Sequence, residues 1–410
     1  MNRMVRAASI AGSYELNAPV QLDVHWRSVA SLAADPGPWR ELARSALEPN
    51  VFLEPAFAGA AARHLADGEV GAVVVRAGAC LVGLLPGRVE GVSQGRPVPT
   101  FVAWTHPFAP FSTPLVDRRM AADVVAALLE YLPKLPGSPR LALFPLLAEQ
   151  GPVARLMAAH LARAGRAPHR LAPHQRAGLV PGPDAATAAS PKRLKELRRQ
   201  RRQLMAAGDF SHRLAESAAA IAPALAAYFD VEAAGWKGRS GSAAKHDLSA
   251  ARFVTEAVST LAAERKARID LLKLDGATIA ATITLYSGDR AWFWKTGFDE
   301  AYARFSPGVQ IALDLTEALA ANENLTLVDS CAVADHPMID RLWSGRIAMA
   351  DWLVPLEGGP SFVAGIAAER ARRAIILSLK ALWRAWAPVT RARAAVAGLP
   401  YRLWSSAFRR

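Results

Sequence analysis

The sequence predicts a mixed α/β protein made of two similarly ordered halves, on three observations. Short apolar or alternating runs that read as strands are interleaved with longer stretches of helical period. The same order of elements then occurs twice along the chain. Between the two occurrences lies PGPDAATAASP, Pro181 to Pro191, where proline, glycine and small residues interrupt every period.

The first half runs from about Asn17 to Val180. VGAVVVRAG and CLVGLLPGRVE read as a hairpin, TFVAWTHPFAPFSTPLVD as a strand entering a polar turn, and AADVVAALLEYLP as a helix. PRLALFPL is a strand, GPVARLMAAHLARAG a helix and PHRLAPHQRAGLV a last strand. In the second half SPKRLKELRRQRRQLMAAG is a helix, DFSHRLAES a strand, AAAIAPALAAYFDVEAAGWKG a helix ending in a glycine loop, and DLSAARFVTEAVSTLAAERK a helix. Strands RIDLLKLDG, ATIAATITLYSGD and RAWFWKTGF follow, then a helix from Val309 to Asn322 and the strand LTLVDSCA. Even the loops correspond, with FAPFSTP (Phe108 to Pro114) against YARFSPG (Tyr302 to Gly308). A tandem duplication explains both the order and the loops.

Composition narrows the class. The 410 residues suffice for two domains, and half of them are apolar. The two cysteines, Cys80 and Cys331, lie far apart with no metal-ligand spacing around either, so neither a disulfide framework nor a metal site is expected, and a reducing cytoplasm is the default compartment. No apolar run approaches the roughly 18 residues of a membrane span, and the amino-terminal apolar run is too short for a secretory signal core.

The net charge of +13 is localised rather than spread over a face. Residues Ser361 to Arg410 carry ten Lys or Arg against the single acid Glu369, which is +9 of the total, leaving +4 for the preceding 360 residues. A second concentration is the helix opening SPKRLKELRRQRR. Its charges fall on every side of a thin Leu194, Leu197, Leu204 stripe with no stacking aromatics, so a solvated helix is expected there and a nucleic-acid partner is not.

The stretch KTGFDEAYARFSPG, Lys295 to Gly308, joins an aromatic strand to a helix. Proline suits a first helical turn, glycine permits close approach to the backbone, and Ser306 is placed to cap the helix. A helix start of that kind carries roughly half a positive charge and unpaired donors, so it favours an anion; the alternative is an ordinary capped strand-to-helix turn.

Together with the basic helix KRLKELRRQRRQL, the loop WKGRSGSA and the strand pair LLKLDGATIAATITLYSGD, this block makes the segment from about Ser190 to Leu353 resemble the GNAT superfamily of N-acetyltransferases. It is most similar to the CelD/BcsL-like branch linked to cellulose biosynthesis, which is related to the FemAB transferases built from two GNAT halves. The resemblance implies tandem GNAT-like acyltransferase domains, a degenerate amino-terminal one over residues 1–180 and an acyl-CoA-binding one over residues 190–355; a basic helical tail over residues 361–410 lies beyond the pattern. It further implies acetyl-CoA or another acyl-CoA as co-substrate. Its pyrophosphate would be held by the N–H groups of Gly308, Val309 and Gln310, with the Ser306 hydroxyl and Arg304 nearby. The acceptor would be an amine on a small molecule or glycan. A non-catalytic scaffold of an exopolysaccharide assembly and a FemAB-like user of aminoacyl-tRNA are the alternatives.

Acyl transfer from a thioester needs a neutral amine, a polarised carbonyl and a proton for the leaving thiolate. Lys295, Asp299 and Tyr302 are the candidates in the signature block: Lys295 at a strand end, Asp299 to take a proton and Tyr302 to donate to sulfur. The alternative pairs Lys295 with Asp299 or Glu300 on the surface and buries Tyr302. Asp329 closes a strand, and His336 is a substitute base where the family's Gly-acid-x-x-Tyr-Lys pattern is lacking, unless it is simply a turn residue. Trp236 and Lys237 would line the acceptor pocket, or Trp236 would fill the core.

In the tail, FVAGIAAERARRAIILSLKALWRAWAP repeats like a helix as far as Pro388. Ile366, Ile375, Ile376, Leu379, Leu382, Trp383 and Trp386 gather on one face with Arg372, Arg373, Lys380 and Arg384 at its flanks. That arrangement suits an anionic membrane surface, making the protein cytoplasmic with a peripheral attachment, or equally a packing face.

Overall fold

A computed structural model describes residues 21–182, 188–235 and 243–397, without the side chains of residue 360 and residues 383–397. The first half comprises β1 (Leu22–Ser28), α1 (Val29–Ala34), α2 (Gly37–Ser45), α3 (Pro55–His64), β2 (Gly71–Ala77), β3 (Cys80–Glu90), β4 (Thr100–Ala103), β5 (Leu115–Val116), α4 (Ala121–Tyr131), β6 (Leu141–Ala148), α5 (Pro152–Arg163) and β7 (His169–Leu179). In the second half come α6 (Pro191–Ala206), β8 (Phe210–Ala215), α7 (Ala218–Ala234), α8 (Leu248–Ala263), β9 (Ala267–Leu274), β10 (Ala277–Ser287), β11 (Arg290–Phe298), α9 (Pro307–Ala320), β12 (Leu327–Asp329), β13 (Gly345–Pro355) and α10 (Pro360–Ala397).

All thirteen strands join one sheet, in the order β1-β2-β3-β4-β6-β13-β7-β12-β11-β10-β9-β8, with β5 beside β3. Exchanging each strand of one half for its counterpart in the other (β1 for β8, β2 for β9, β3 for β10, β4 for β11, β6 for β12, β7 for β13) turns this order into its own reverse. The sheet therefore has a pseudo-twofold axis between β13 and β7. In both halves the hairpin strands are antiparallel and one helical crossover gives a parallel pair, β4 with β6 and β11 with β12. The last strands are exchanged. β13 pairs with β6 of the first half, and β7 pairs with β12 of the second.

Helices cover both faces. α3 and α8 meet across the axis over a core that includes Phe57, Phe253, Trp292 and Trp294. Phe57 and Phe253 are fully buried with ring centroids 5.1 Å apart, edge to face, and each contributes about 1.5–3 kcal/mol by burial. On the opposite face α4 and α5 pack over the first half and α9 over the second. The basic helix α6 is capped by the Ser190 hydroxyl and lays Leu197 and Leu204 inward. It is tied to α9 by Arg201 with Asp314 at 3.0 Å and by Gln310 Nε2 with the Leu197 carbonyl at 2.9 Å.

The start of α10 is docked on the body. Phe362 and Ile366 join the cluster of Leu141, Leu143, Leu171 and Leu353, and a Cβ on Gly365 would come within 2.2 Å of Leu141. Glu369, 4% exposed, accepts from Arg96 at 2.6 Å and from both Arg372 and Arg373. Burial alone would raise its pKa, but the Arg372 hydrogen bond, the Arg96 charge and the Arg373 hydrogen bond hold it at about 2. After Arg373 the helix leaves the body, and Ile375, Leu377, Leu379 and Leu382 are exposed. Ile366 thus packs on protein, apart from the apolar face that the sequence assigned it to. The helix also continues past Pro388 to Ala397, since one proline removes a single backbone bond without ending the flanking turns. Among the described residues no helix is long and apolar enough to cross a membrane.

Candidate active site

β11 and β12 are paired over three residues only: Arg290 with Leu327, Ala291 with Val328 and Trp292 with Asp329. Beyond that point they part. Two local features accompany the separation. Trp294 is the extra residue of a bulge opposite Ile283 and Thr284, and a bulge bends and twists its strand. On the other side Cys331 turns left-handed, at φ 54°, with its N–H held by Asp329 Oδ1 at 2.9 Å. Asp329 is itself ion-paired with the buried Arg176 of β7.

The segment after β4 reaches across from the first half to this fork. Trp294 Nε1 donates to the Phe108 carbonyl at 2.8 Å, and Arg176 Nη1 donates to the Pro110 carbonyl at 2.9 Å. Lys295 Nζ lies 4.3 Å from the Phe108 ring centroid and 5.1 Å from that of Trp294. Beside them His106 is surrounded by Trp104, Phe253, Phe57 and Phe108, with centroids 5.2, 5.7, 6.0 and 6.3 Å away. Both of its ring nitrogens are buried without a hydrogen-bond partner. Burial, with the Lys295 charge adding to it, lowers the His106 pKa to about 3, so the imidazole is neutral at physiological pH. Sequence reasoning missed His106. The one available signal was its place in the segment that corresponds to the signature block of the second half.

A 3-10 turn, Glu300–Phe305, links β11 to α9. Ser306 is left-handed, at φ 52°, and its side chain makes no cap; instead its carbonyl accepts the N–H groups of Val309 at 2.9 Å and Gln310 at 3.0 Å. Two of the three donors expected to face a phosphate are therefore engaged within the first turn. Gly308 lies against Phe298, where a Cβ would come within 2.9 Å of the ring, and the Gln310 side chain is buried on α6. Arg304 stacks on Phe305, 4.6 Å from its centroid.

Residues 191–336 match the family model described as an acetyltransferase (GNAT) domain. That segment of the second half is therefore similar to a GNAT acetyltransferase domain. No curated protein sequence matches the chain. Among solved structures, a conserved protein of unknown function from Bacteroides thetaiotaomicron is 12% identical, with 79% of this chain and 97% of that one covered at a TM-score of 0.52, a likeness of fold. The C-terminal domain (DUF2156) of a putative lysylphosphatidylglycerol synthetase from Agrobacterium fabrum is 15% identical over 72% of this chain and 85% of that one, TM-score 0.46. A tandem GNAT protein from the clavulanic acid biosynthesis pathway is 14% identical over 82% and 100%, TM-score 0.37.

Within the matched segment the expected site residues are divided among different tasks. Lys295 and Asp329 stand at the fork. The Asp299 carboxylate accepts the Ala301 N–H at 2.9 Å and so caps the 3-10 turn. Tyr302 is half-buried in the Leu204, Phe298 and Phe305 cluster. His336 Nδ1 accepts from the N–H groups of Met338 at 3.3 Å and Ile339 at 3.4 Å, and burial lowers its pKa. It is a turn residue in this structure, because the Pro337 bend turns those donors back on its ring. Trp236 and Lys237 lie outside the described residues. The Cys331 thiol is pushed well up by burial and by Asp329, which disfavours the thiolate a covalent route would need.

Proposed function

We propose that the protein transfers an acyl group, acetyl in the simplest case, from acyl-CoA to an amine on a sugar or envelope precursor, by direct attack on the bound thioester. The observation that carries this reading is the fork at Trp292 and Asp329 inside a GNAT domain, where a thioester arm can lie between strands that have stopped pairing. The amine nitrogen bonds to the carbonyl carbon, the C–S bond breaks, and the proton lost by nitrogen is balanced by one gained by the CoA sulfur. Lys295, next to the Trp294 bulge, is the group we assign to stabilise the carbonyl oxygen as it becomes negative. The neutral His106 offers the incoming amine an acceptor, and a protonated Cys331 favours the direct route over an acyl-enzyme. Gly308 N–H, the Ser306 hydroxyl and Arg304 are the groups left to meet the pyrophosphate. Asp299 and Tyr302 are the remaining candidates for proton transfer, and the resemblance of the Lys295 to Gly308 block to the CelD/BcsL-like branch supports an acceptor among envelope glycans.

One observation favours a non-catalytic scaffold instead, namely the use of the Val309 and Gln310 N–H groups by the Ser306 carbonyl. Calorimetry with acetyl-CoA separates the two. Saturable heat, with CoA released when an amine acceptor is added, is the expected result. No heat in protein shown to be folded would leave only the scaffold.

A further inference from the structure

A cavity of about 290 Å³ lies at the seam between the halves, next to the fork. Its floor is apolar and buried, formed by Phe111, Ala148 and Trp292, and Trp292 with Asp329 is the last pair before β11 and β12 separate. Above that floor the charge is mostly positive. Arg290 is paired with Glu48 at 3.0 Å, so its charge is offset. Arg155 at the rim makes no side-chain hydrogen bond or ion pair among the described residues. Arg346 is held by the carbonyls of Trp343 at 2.6 Å, Gly345 at 2.9 Å and Asp340 at 3.1 Å, which orient its guanidinium without neutralising it. Asp329 is already matched by Arg176.

The surroundings are built to keep this arrangement. Glu48 is 1% exposed and lies against the start of α5, where it accepts the Val153 N–H at 3.3 Å. A Cβ on Gly151 would come within 2.5 Å of that carboxylate, so only glycine lets it lie there. Arg155 and Arg290 thus share the one Glu48 carboxylate, and Arg346 meets only carbonyls, so a pocket with an aromatic floor carries more guanidinium than carboxylate charge. A planar guanidinium pair suits phosphate or carboxylate oxygens, and the floor suits the body of the molecule that carries them.

We propose that this cavity holds the acyl acceptor by an anionic group, a phosphate or carboxylate bound by Arg155 and Arg346, so that the acceptor is an anionic amine. The assignment rests on the acyltransferase reading, since it gives the cavity to that reaction's second substrate. Each half supplies one arginine, Arg155 from α5 and Arg346 from β13, and the seam therefore belongs to the site.

Binding of inorganic phosphate to the full-length protein, followed by calorimetry at fixed ionic strength, tests the cavity itself. Wild type and the control Arg163→Ala, on the same helix, should bind alike, whereas Arg155→Ala and Arg346→Ala should each lose about tenfold or more in affinity, as for a lost charged hydrogen bond. Equal binding by all four proteins, or displacement of phosphate by CoA, would overturn the proposal. The second arm compares phosphoethanolamine with ethanolamine as acetyl acceptors. A KM for phosphoethanolamine that is at least tenfold lower in wild type, an advantage lost in Arg155→Ala, is expected. Equal KM values for the two amines overturn the acceptor assignment. Phosphate binding that depends on the arginines, without transfer to either amine, overturns the acyltransferase reading itself, so the two failures are told apart.

Discussion

Trp294 and Phe108, 186 positions apart, are joined by a 2.8 Å hydrogen bond from the indole Nε1 to the backbone carbonyl. The bond fixes the bulge of β11 against the crossing segment of the first half, and Lys295 then rests on the Phe108 ring. The fork is therefore a joint product of both halves.

Replacing Trp294 by Phe keeps an aromatic ring but removes the donor. The part-buried Phe108 carbonyl is left without its partner, which costs about 1–3 kcal/mol. Urea denaturation should show that loss, together with a raised KM for the acceptor. Stability within a few tenths of a kcal/mol of wild type would mean that the contact does not hold the segment.

His106 makes folding depend on pH. Its folded pKa, about 3, lies below the unfolded value of 6.5, so the unfolded chain binds the proton more readily. The stability associated with the neutral ring is fully present above pH 6.5 and declines as pH falls towards 3. Lys295 is the neighbouring charge that adds to this shift. Unfolding free energies measured from pH 4 to 8 should fall less steeply with acid in His106→Phe than in wild type, and parallel curves would refute the assignment.

Asp299→Asn retains a capping side chain and should fold normally, because Asn caps as well as Asp. Turnover should drop more than acyl-CoA affinity if the carboxylate takes a proton during reaction. His336→Gln, by contrast, loses only the acceptor for two turn N–H groups and should lower stability slightly with little effect on turnover. A fall in turnover confined to His336→Gln would move the base to that segment.

The exposed part of α10 should bind anionic vesicles at low salt and release them at high salt, because each basic residue near such a surface contributes on the order of 1 kcal/mol. Sedimentation should compare the full chain with one ending at Ala374. That end point keeps Glu369 with Arg96 and Arg373 with Asp351 at 2.7 Å, which a cut at Pro360 would destroy. If neither form pellets at any salt concentration, Ile375, Leu379 and Leu382 cover a protein surface instead.

Most element types, the duplicated order and the GNAT resemblance of residues 191–336 were legible in the sequence, because each is a local or repeating pattern, whereas β1, α1 to α3 and β13 were not read from it. Period 2 and period 3.6 report which face of an element is apolar, and the Lys295 to Gly308 block is continuous. Only the tertiary structure decided that β7 and β13 change places, that Arg176 meets Asp329 across 153 positions, and that His106 enters the aromatic cluster of the other half. Pairing at such separations leaves no mark on either segment's own period, since the partner acts only after both strands have joined the sheet. The same limit explains Ser306. Its residue type suits a cap, but its left-handed backbone turns the carbonyl, rather than the hydroxyl, towards the N–H groups of Val309 and Gln310, and the packing of Phe298 on Gly308 accompanies that turn.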